Sequence, residues 1–180
     1  MNPLDIIAEY YNPDSKAFEI LIRHGKQVAQ KALRIAENNT ALQPDKDFLE
    51  NAAMLHDIGI FLTDSPAFGC RGRHPYICHG VLGARLLRDR GLPDYALVCE
   101  RHVGVGISAE DVRHFSLPLP DRDMLPVSIE EQIICYADKF FSKNGNGGGN
   151  VKNVEQIIRD LKSYGNDKVL RFQKWVNRFE

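Results

Sequence analysis

An all-α protein, an irregular helical bundle, is what this sequence predicts, and three observations predict it. Apolar residues recur at intervals of three and four through most of the chain. The breaks between these stretches are short and marked by Asn, Asp, Gly and Pro. There is no internal repeat and no convincing run of alternating apolar and polar residues that would read as strands. A chain of 180 residues favours one domain and is long enough to bury a real core.

The elements follow in order. Residues 3–11 carry Leu4, Ile6, Ile7, Tyr10 and Tyr11 and read as a short helix, broken by Asn12-Pro13-Asp14. Asp14 or Ser15 can cap the next helix, which runs to about Asn38 with Phe18, Leu21, Ile22, Val28, Ala29, Ala32, Leu33 and Ala36 on one stripe. His24 falls close to Leu21 and Val28 on that helix, facing inward or to the stripe's edge. Asp45 or Asp47 can cap a third helix carrying Phe48, Leu49, Ala52, Ala53, Leu55 and His56, with Gly59 expected to mark its end or loosen its last turn. A polar, glycine-rich and basic loop follows, with Gly69, Cys70, Arg71, Gly72, Arg73, His74 and Pro75.

A fourth helix is expected from Tyr76 to about Arg90, with His79 in its first turns, ended by Gly91-Leu92-Pro93. Asp94 is expected to cap a fifth, Tyr95 to about Val103, with His102 at its end. Ser108 and Asp111 resemble a capping box opening a short helix to about Phe115. Residues 116–127 hold three prolines and cannot be a continuous helix. Ser128 and Glu131 form a better capping box, for a helix carrying Ile129, Ile133, Ile134, Tyr136, Ala137, Phe140 and Phe141, with Asp138 among these apolar neighbours. Residues 144–150 read as a flexible glycine-rich linker. Two amphipathic helices, about 151–163 and 167–179, close the chain. The expected organisation is a single domain over 1–180, with a core at about 15–143 and a helical extension at about 150–179. The Trp175-bearing helix could pack in cis or across a homo-oligomer interface.

Composition narrows the function. The formal net charge is -1, with no long block of one sign, which argues against a dedicated nucleic-acid or membrane-surface binder while leaving room for a local phosphate pocket. No apolar run is long enough to span a bilayer. The acidic N-terminal stretch lacks the features of a signal peptide, so the expected location is cytoplasmic. Cys70, Cys78, Cys99 and Cys135 include no CxxC pair, and they are expected to be reduced, buried thiols rather than a zinc ribbon or a disulfide framework.

Six residues combine a metal-competent side chain with an apolar or helix-end setting: His24, His56, Asp57, His79, His102 and Asp138. Adjacent residues on a helix do not share a face, but at a helix end His56 and Asp57 can converge on an ion. A carboxylate can bridge two ions through its two oxygens, which a histidine cannot. A lone histidine on an apolar face is more often a satisfied core residue, and Asp57 alone could be satisfied by nearby backbone. Asp138 is harder to dismiss, because a carboxylate among apolar neighbours needs a partner when buried. Lys139, next to it, is not expected to point the same way. The mixed imidazole and carboxylate set suits a divalent transition metal, one or two ions of iron, manganese, zinc or cobalt, better than calcium or magnesium.

The ordered set His24, His56-Asp57, Asp138 resembles the signature of the HD-domain metal-dependent phosphohydrolases, and His56-Asp57-Ile58-Gly59 matches the subgroup named HDIG after that tetrapeptide. The likeness covers about residues 15–143, through RHGKQVAQKAL, AAMLHDIG, CHGVLGARLL, ERHVG and CYADKF. It implies a two-metal site. His24, His56, Asp57 and Asp138 would hold the first ion, His79 and His102 the second, and Asp57 would bridge them. A metal-bound hydroxide would then attack the phosphorus of a small phosphorylated substrate such as a nucleotide or dinucleotide. YADK at Asp138 is similar to the HD-type hydrolases that cut diadenosine tetraphosphate symmetrically. The proline-rich 116–127 stretch and the glycine tract at 145–149 do not map onto that group. Arg71, Arg73, His74 and Lys139 are candidate phosphate contacts, each with a solvated surface charge as its competing reading. His114 reads as a surface or packing residue.

Three alternatives stand beside a nucleotide or dinucleotide phosphohydrolase. A few HD-type proteins use the same six-ligand set as a mixed-valence di-iron oxygenase. Cyclic dinucleotide phosphodiesterases of this type usually carry lysine where this chain has Ile60, and a Gly-Tyr-Pro element that is absent here. A nucleotide-binding module without turnover would be expected to have lost one or more ligands.

Overall fold

The computed structural model describes residues 1–143 and 151–180. The glycine tract and the linker expected at 144–150 lie outside the described residues. Nine helices are present among those described: α1 (Pro3–Tyr10), α2 (Lys16–Asn38), α3 (Lys46–Leu55), α4 (His79–Asp89), α5 (Pro93–Arg101), α6 (Ala109–His114), α7 (Ile129–Asp138), α8 (Val154–Lys162) and α9 (Asn166–Phe179). Short 3-10 turns fill Thr40–Leu42, Ile58–Leu62, Pro66–Phe68 and Tyr76–Cys78. One departure from an all-helical chain is a two-residue antiparallel pair, β1 (Asp64–Ser65) and β2 (Cys70–Arg71), the second inside the basic loop. It is too short to leave a period-two signature.

Local chemistry sets the helix starts. Ser15 Oγ accepts from the Phe18 amide, and Asp45 Oδ1 accepts from the Phe48 amide, so one residue of each expected pair is the cap. Ser108 and Asp111 form a complete reciprocal box. Three expectations are corrected. Asp94 does not cap α5; Pro93 is already helical, and Asp94 lies in the first turn. Ser128 accepts from the Glu131 amide, but the Glu131 carboxylate does not return to Ser128. It accepts instead from the Val127 amide and, in a charge-assisted pair, from the Arg101 guanidinium. Gly59 does not end α3, which stops at Leu55.

Two apolar clusters form the core. One gathers α2, α3, α5, α7, α8 and α9 around Ile133, Tyr136, Phe172 and Trp175. Trp175 is thus buried in the chain's own core. The other gathers α1, α3, the Ile58–Leu62 turn, α4 and α5 around Ile7, Leu55, Ile58 and Leu87. His24 lies between Leu21 of the second cluster and Val28 of the first.

The Ile58–Leu62 turn is held from two sides. The Tyr11 hydroxyl donates to the Ile58 carbonyl at 2.9 Å and accepts from the Phe61 amide at 3.0 Å. On the other side Gly59 abuts α4 so closely that a Cβ there would lie 2.2 Å from the His79 carbonyl oxygen and 2.4 Å from the Gly83 nitrogen. Glycine is required here by the approach of two backbones, not by a helix end. Glu100, fully buried in its side chain, takes Arg88 from α4 and Arg122 from the proline-rich stretch, which fastens that stretch to α5. Ile107 and Met124 exchange backbone hydrogen bonds at 3.0 and 2.7 Å and close the same segment. All four cysteines are free and buried, as expected.

Candidate metal centre

Four helices and one turn bring the six predicted residues together, and all six are buried. His24 comes from the middle of α2. His56 and Asp57 follow the last residue of α3. His79 is the first residue of α4, His102 follows the last of α5, and Asp138 is the last of α7. Five of the six therefore stand at helix ends, where side chains from different axes can converge.

Asp57 sits at the centre. Its Oδ2 lies 3.1 Å from His56 Nε2 and 3.4 Å from His24 Nε2. Its Oδ1 lies 3.3 Å from His79 Nε2 and 3.4 Å from His102 Nε2. Asp138 joins the first half: its Oδ1 is 2.9 Å from His24 Nε2 and 3.6 Å from His56 Nε2. The two Nε2 atoms of the second half are 3.1 Å apart. Two donors at right angles on one transition-metal ion, each about 2.1 Å from it, stand about 3 Å apart. The spacing in each half is of that order.

Three of the histidines are oriented by one device. His56, His79 and His102 each donate from Nδ1 to the carbonyl three residues back, on Ala53, Tyr76 and Cys99, at 2.6, 2.7 and 2.8 Å. A carbonyl can only accept, so Nδ1 carries a proton in each ring and Nε2 is the nitrogen that faces inward. Two cysteines support the helix ends behind them. The Cys99 thiol lies 3.2 Å from the Leu55 carbonyl, just ahead of His56, and the Cys135 thiol lies 3.3 Å from the His102 carbonyl.

The electrostatics fit a cation. Neither oxygen of Asp57 has a well-formed hydrogen bond, although the Lys143 ammonium lies 2.8 Å from Oδ2; His56 Nε2 and His24 Nδ1 are also buried without a hydrogen-bond partner. Buried polar atoms left so are costly, and an ion between them would answer all but the last. Burial holds the His24 and His102 rings neutral, down to about 4. Burial opposes a proton on His56, but the Asp57 and Asp138 carboxylates outweigh it and raise that ring to about 9. Burial likewise would raise the Asp57 carboxyl, yet His56 and Lys143 hold it well below the usual carboxylate range. Lys139 and Lys143 do the same for Asp138 against its own burial. A proton on His56 is itself a small cation between two carboxylates, and a metal ion would satisfy the same field. His24, His56 and Asp57, and separately Asp57, His79 and His102, are spaced to hold a metal ion each.

A model of the HD domain matches residues 21–142. The chain belongs to the HD-domain family. The match spans His24 to Asp138, so it contains the whole cluster. An uncharacterized protein from Methanocaldococcus jannaschii is 36% identical over 125 residues, which are 68% of this chain and 66% of that protein. A tRNA (cytidine(56)-2'-O)-methyltransferase from Picrophilus torridus is 29% identical over 160 residues, 88% of this chain and 41% of the relative. One of the same name from Thermoplasma volcanium is 31% identical over 163 residues, 90% and 40% respectively. The HD chain thus spans about two fifths of the length of these methyltransferases. No solved structure matches it.

The other predicted residues divide. Arg71, Arg73 and His74 are exposed on β2 and the loop leading to the turn before His79. Among the described contacts, none ties their side chains to the cluster. Lys139 is corrected: it does reach its neighbour, with Nζ 2.9 Å from Asp138 Oδ2. α7 ends at Asp138, so the rule that adjacent helical residues diverge does not bind a long, flexible stem just past the end. His114 is exposed, edge-on to Phe115. Two residues of the HD site carried no signal in the sequence. Lys143 lies beyond α7, where nothing distinguishes it from a solvated lysine. Tyr76 stacks on His79 at 4.5 Å between ring centroids and interacts with Lys143. In the sequence it marks only the start of the expected fourth helix. No helix among the described residues is long and apolar enough to cross a membrane.

Proposed function

We propose that this HD-domain protein, of the HDIG subgroup, is a metal-dependent phosphohydrolase acting on a small phosphate ester or anhydride, a nucleotide or dinucleotide. The observation that carries this reading is the division of Asp57. Each of its oxygens faces a different pair of histidines, which is the arrangement a carboxylate needs to bridge two ions. His24, His56, Asp57 and Asp138 would hold one ion, and Asp57, His79 and His102 the other. Divalent ions bound there would supply Lewis-acid charge and lower the pKa of coordinated water.

The chain's own residues do the rest. The three Nδ1–carbonyl bonds hold the imidazoles in place, so the donors need no reorganisation as charge develops on a phosphoryl group. Lys139 holds the outer oxygen of Asp138 and leaves Oδ1 for the cluster, a positioning role beside its candidate contact to phosphate. Arg71, Arg73 and His74, exposed just upstream of His79, are the groups proposed to receive the distal phosphates.

A phosphate-release screen on purified protein loaded with manganese, iron, cobalt or zinc tests the reading. The panel should hold nucleoside mono-, di- and triphosphates, dinucleoside polyphosphates and short RNAs with terminal phosphates. RNA belongs in it because two relatives are named as tRNA methyltransferases. Asp57→Ala should lose activity by more than the about 10- to 100-fold that a change behind the ligands costs. Metal-replete protein inactive on the whole panel, or an Asp57→Ala variant with full activity, would contradict the proposal.

A further inference from the structure

A divalent centre needs anionic and neutral donors, yet the first half of this one also holds an ammonium group. Lys143 Nζ lies 2.8 Å from Asp57 Oδ2 and 3.8 Å from Asp138 Oδ1. These are the two carboxylate oxygens that face His24 and His56. Lys139 differs, since it meets Asp138 on the other oxygen, Oδ2. In the second half no lysine or arginine ion pair to Asp57 Oδ1 occurs among the described residues; His79 and His102 are its neighbours. The charge is therefore lopsided: one half is already neutralised from within, the other is not.

We propose that Lys143 is a built-in counter-cation of the first half, which occupies it in the metal-free protein and is displaced when an ion enters. The inference rests on the six residues being a metal centre, and it is independent of the reaction catalysed there. An ammonium and a dication repel strongly at contact distance in a partly buried setting, so both cannot share the same two oxygens. Two carboxylates buried without a cation are costly, so the lysine gives the metal-free fold part of what the ion gives the loaded one. Lys143 can leave, because its side chain is not sealed in: 11% of it is exposed, and a four-carbon stem can swing the head outward. Once displaced, it presents its charge at the rim, where an anionic substrate would approach. The consequence is unequal loading: the first half binds an ion against internal competition, the second does not.

The test uses the full chain and Mn2+ as probe. In a His102→Ala background, which leaves the first half intact, Lys143→Met should tighten Mn2+ binding by about tenfold or more by calorimetry. The same substitution should lower the melting temperature of metal-free protein and leave that of Mn2+-saturated protein unchanged. Lys139→Met should weaken binding instead, since it releases Asp138 from its outer anchor. A second measurement needs no variant: amine-selective labelling of wild-type protein, read by peptide mass spectrometry, should rise at Lys143 with Mn2+ and fall again with chelator. Unchanged or weaker binding in Lys143→Met, or labelling at Lys143 that ignores Mn2+, overturns the proposal while leaving the metal centre standing. Wild-type protein that binds no divalent ion overturns both.

Discussion

His79 Nε2 and His102 Nε2 lie 3.1 Å apart although 23 residues separate them, one at the first position of α4 and the other just past the last of α5. The helices pack closely enough for this because Gly80 faces α5; a Cβ there would stand 2.5 Å from the Cys99 carbonyl oxygen. Both Nδ1 protons are committed to backbone, so the two Nε2 lone pairs converge. The pair makes sense around a cation. His102→Ala should reduce bound metal from two ions per chain to one, by elemental analysis after loading and desalting, with the fold retained by circular dichroism.

Removing the metals should destabilise the protein. Buried donors without their ions leave unsatisfied charge, and any ligand that binds only the folded state adds stability by mass action. At a free metal concentration of about 100 times Kd the gain is about 2.7 kcal/mol. Chelation should lower the melting temperature accordingly, re-addition should restore it, and Asp57→Ala should show no metal-dependent shift.

Gly59→Ala should be among the most harmful single-methyl additions in the chain. The new carbon would meet backbone atoms of α4 at 2.2 and 2.4 Å, and backbone cannot rotate away as a side chain can. A cost of about 3 kcal/mol or more is expected from the denaturation midpoint. Because α4 carries His79 at its start, binding of the second ion should weaken in any fraction that still folds.

Stability should also depend on pH through a contact that involves none of the six clustered residues. The nearly buried Lys168 ammonium lies 2.7 Å from Asp111. Burial works against the Asp111 carboxylate, but Lys168 and the Ser108 cap outweigh it and lower its pKa below the ordinary 3.8. A carboxyl depressed in the folded state contributes stability that is present above the unfolded value and lost as pH falls through the folded one. Lys168→Met should therefore cost about 1–3 kcal/mol at neutral pH in urea melts, and the gap from wild type should narrow below about pH 4.

Most of the helices and all six clustered residues were legible in the sequence, for reasons that differ. The 3.6-residue stripe of α2 and the Ser15 and Asp45 caps are local, so neighbouring residues suffice to read them. His24 and Asp138 are 114 residues apart; their side-chain chemistry made them candidates for one site, and the family resemblance gave that site its order before the fold did. What escaped reading depends on tertiary approach. The need for glycine at 59 comes from α4, twenty residues downstream. Glu131 abandons Ser128 for Arg101, a partner on another helix. Lys139 and Lys143 lie just past the end of α7, where helical spacing no longer says which way a side chain turns.

The three carbonyl bonds behind His56, His79 and His102 have a kinetic consequence. Folding itself parks one proton on the outward nitrogen of each ring, so the tautomer that a metal requires is written into the backbone before any ion arrives. An incoming ion meets rings that need neither to flip nor to exchange tautomers. Its capture is then governed by how fast it reaches the site and sheds water and, in the first half, by departure of the Lys143 ammonium and of the proton on His56, not by a flip of the histidines that receive it.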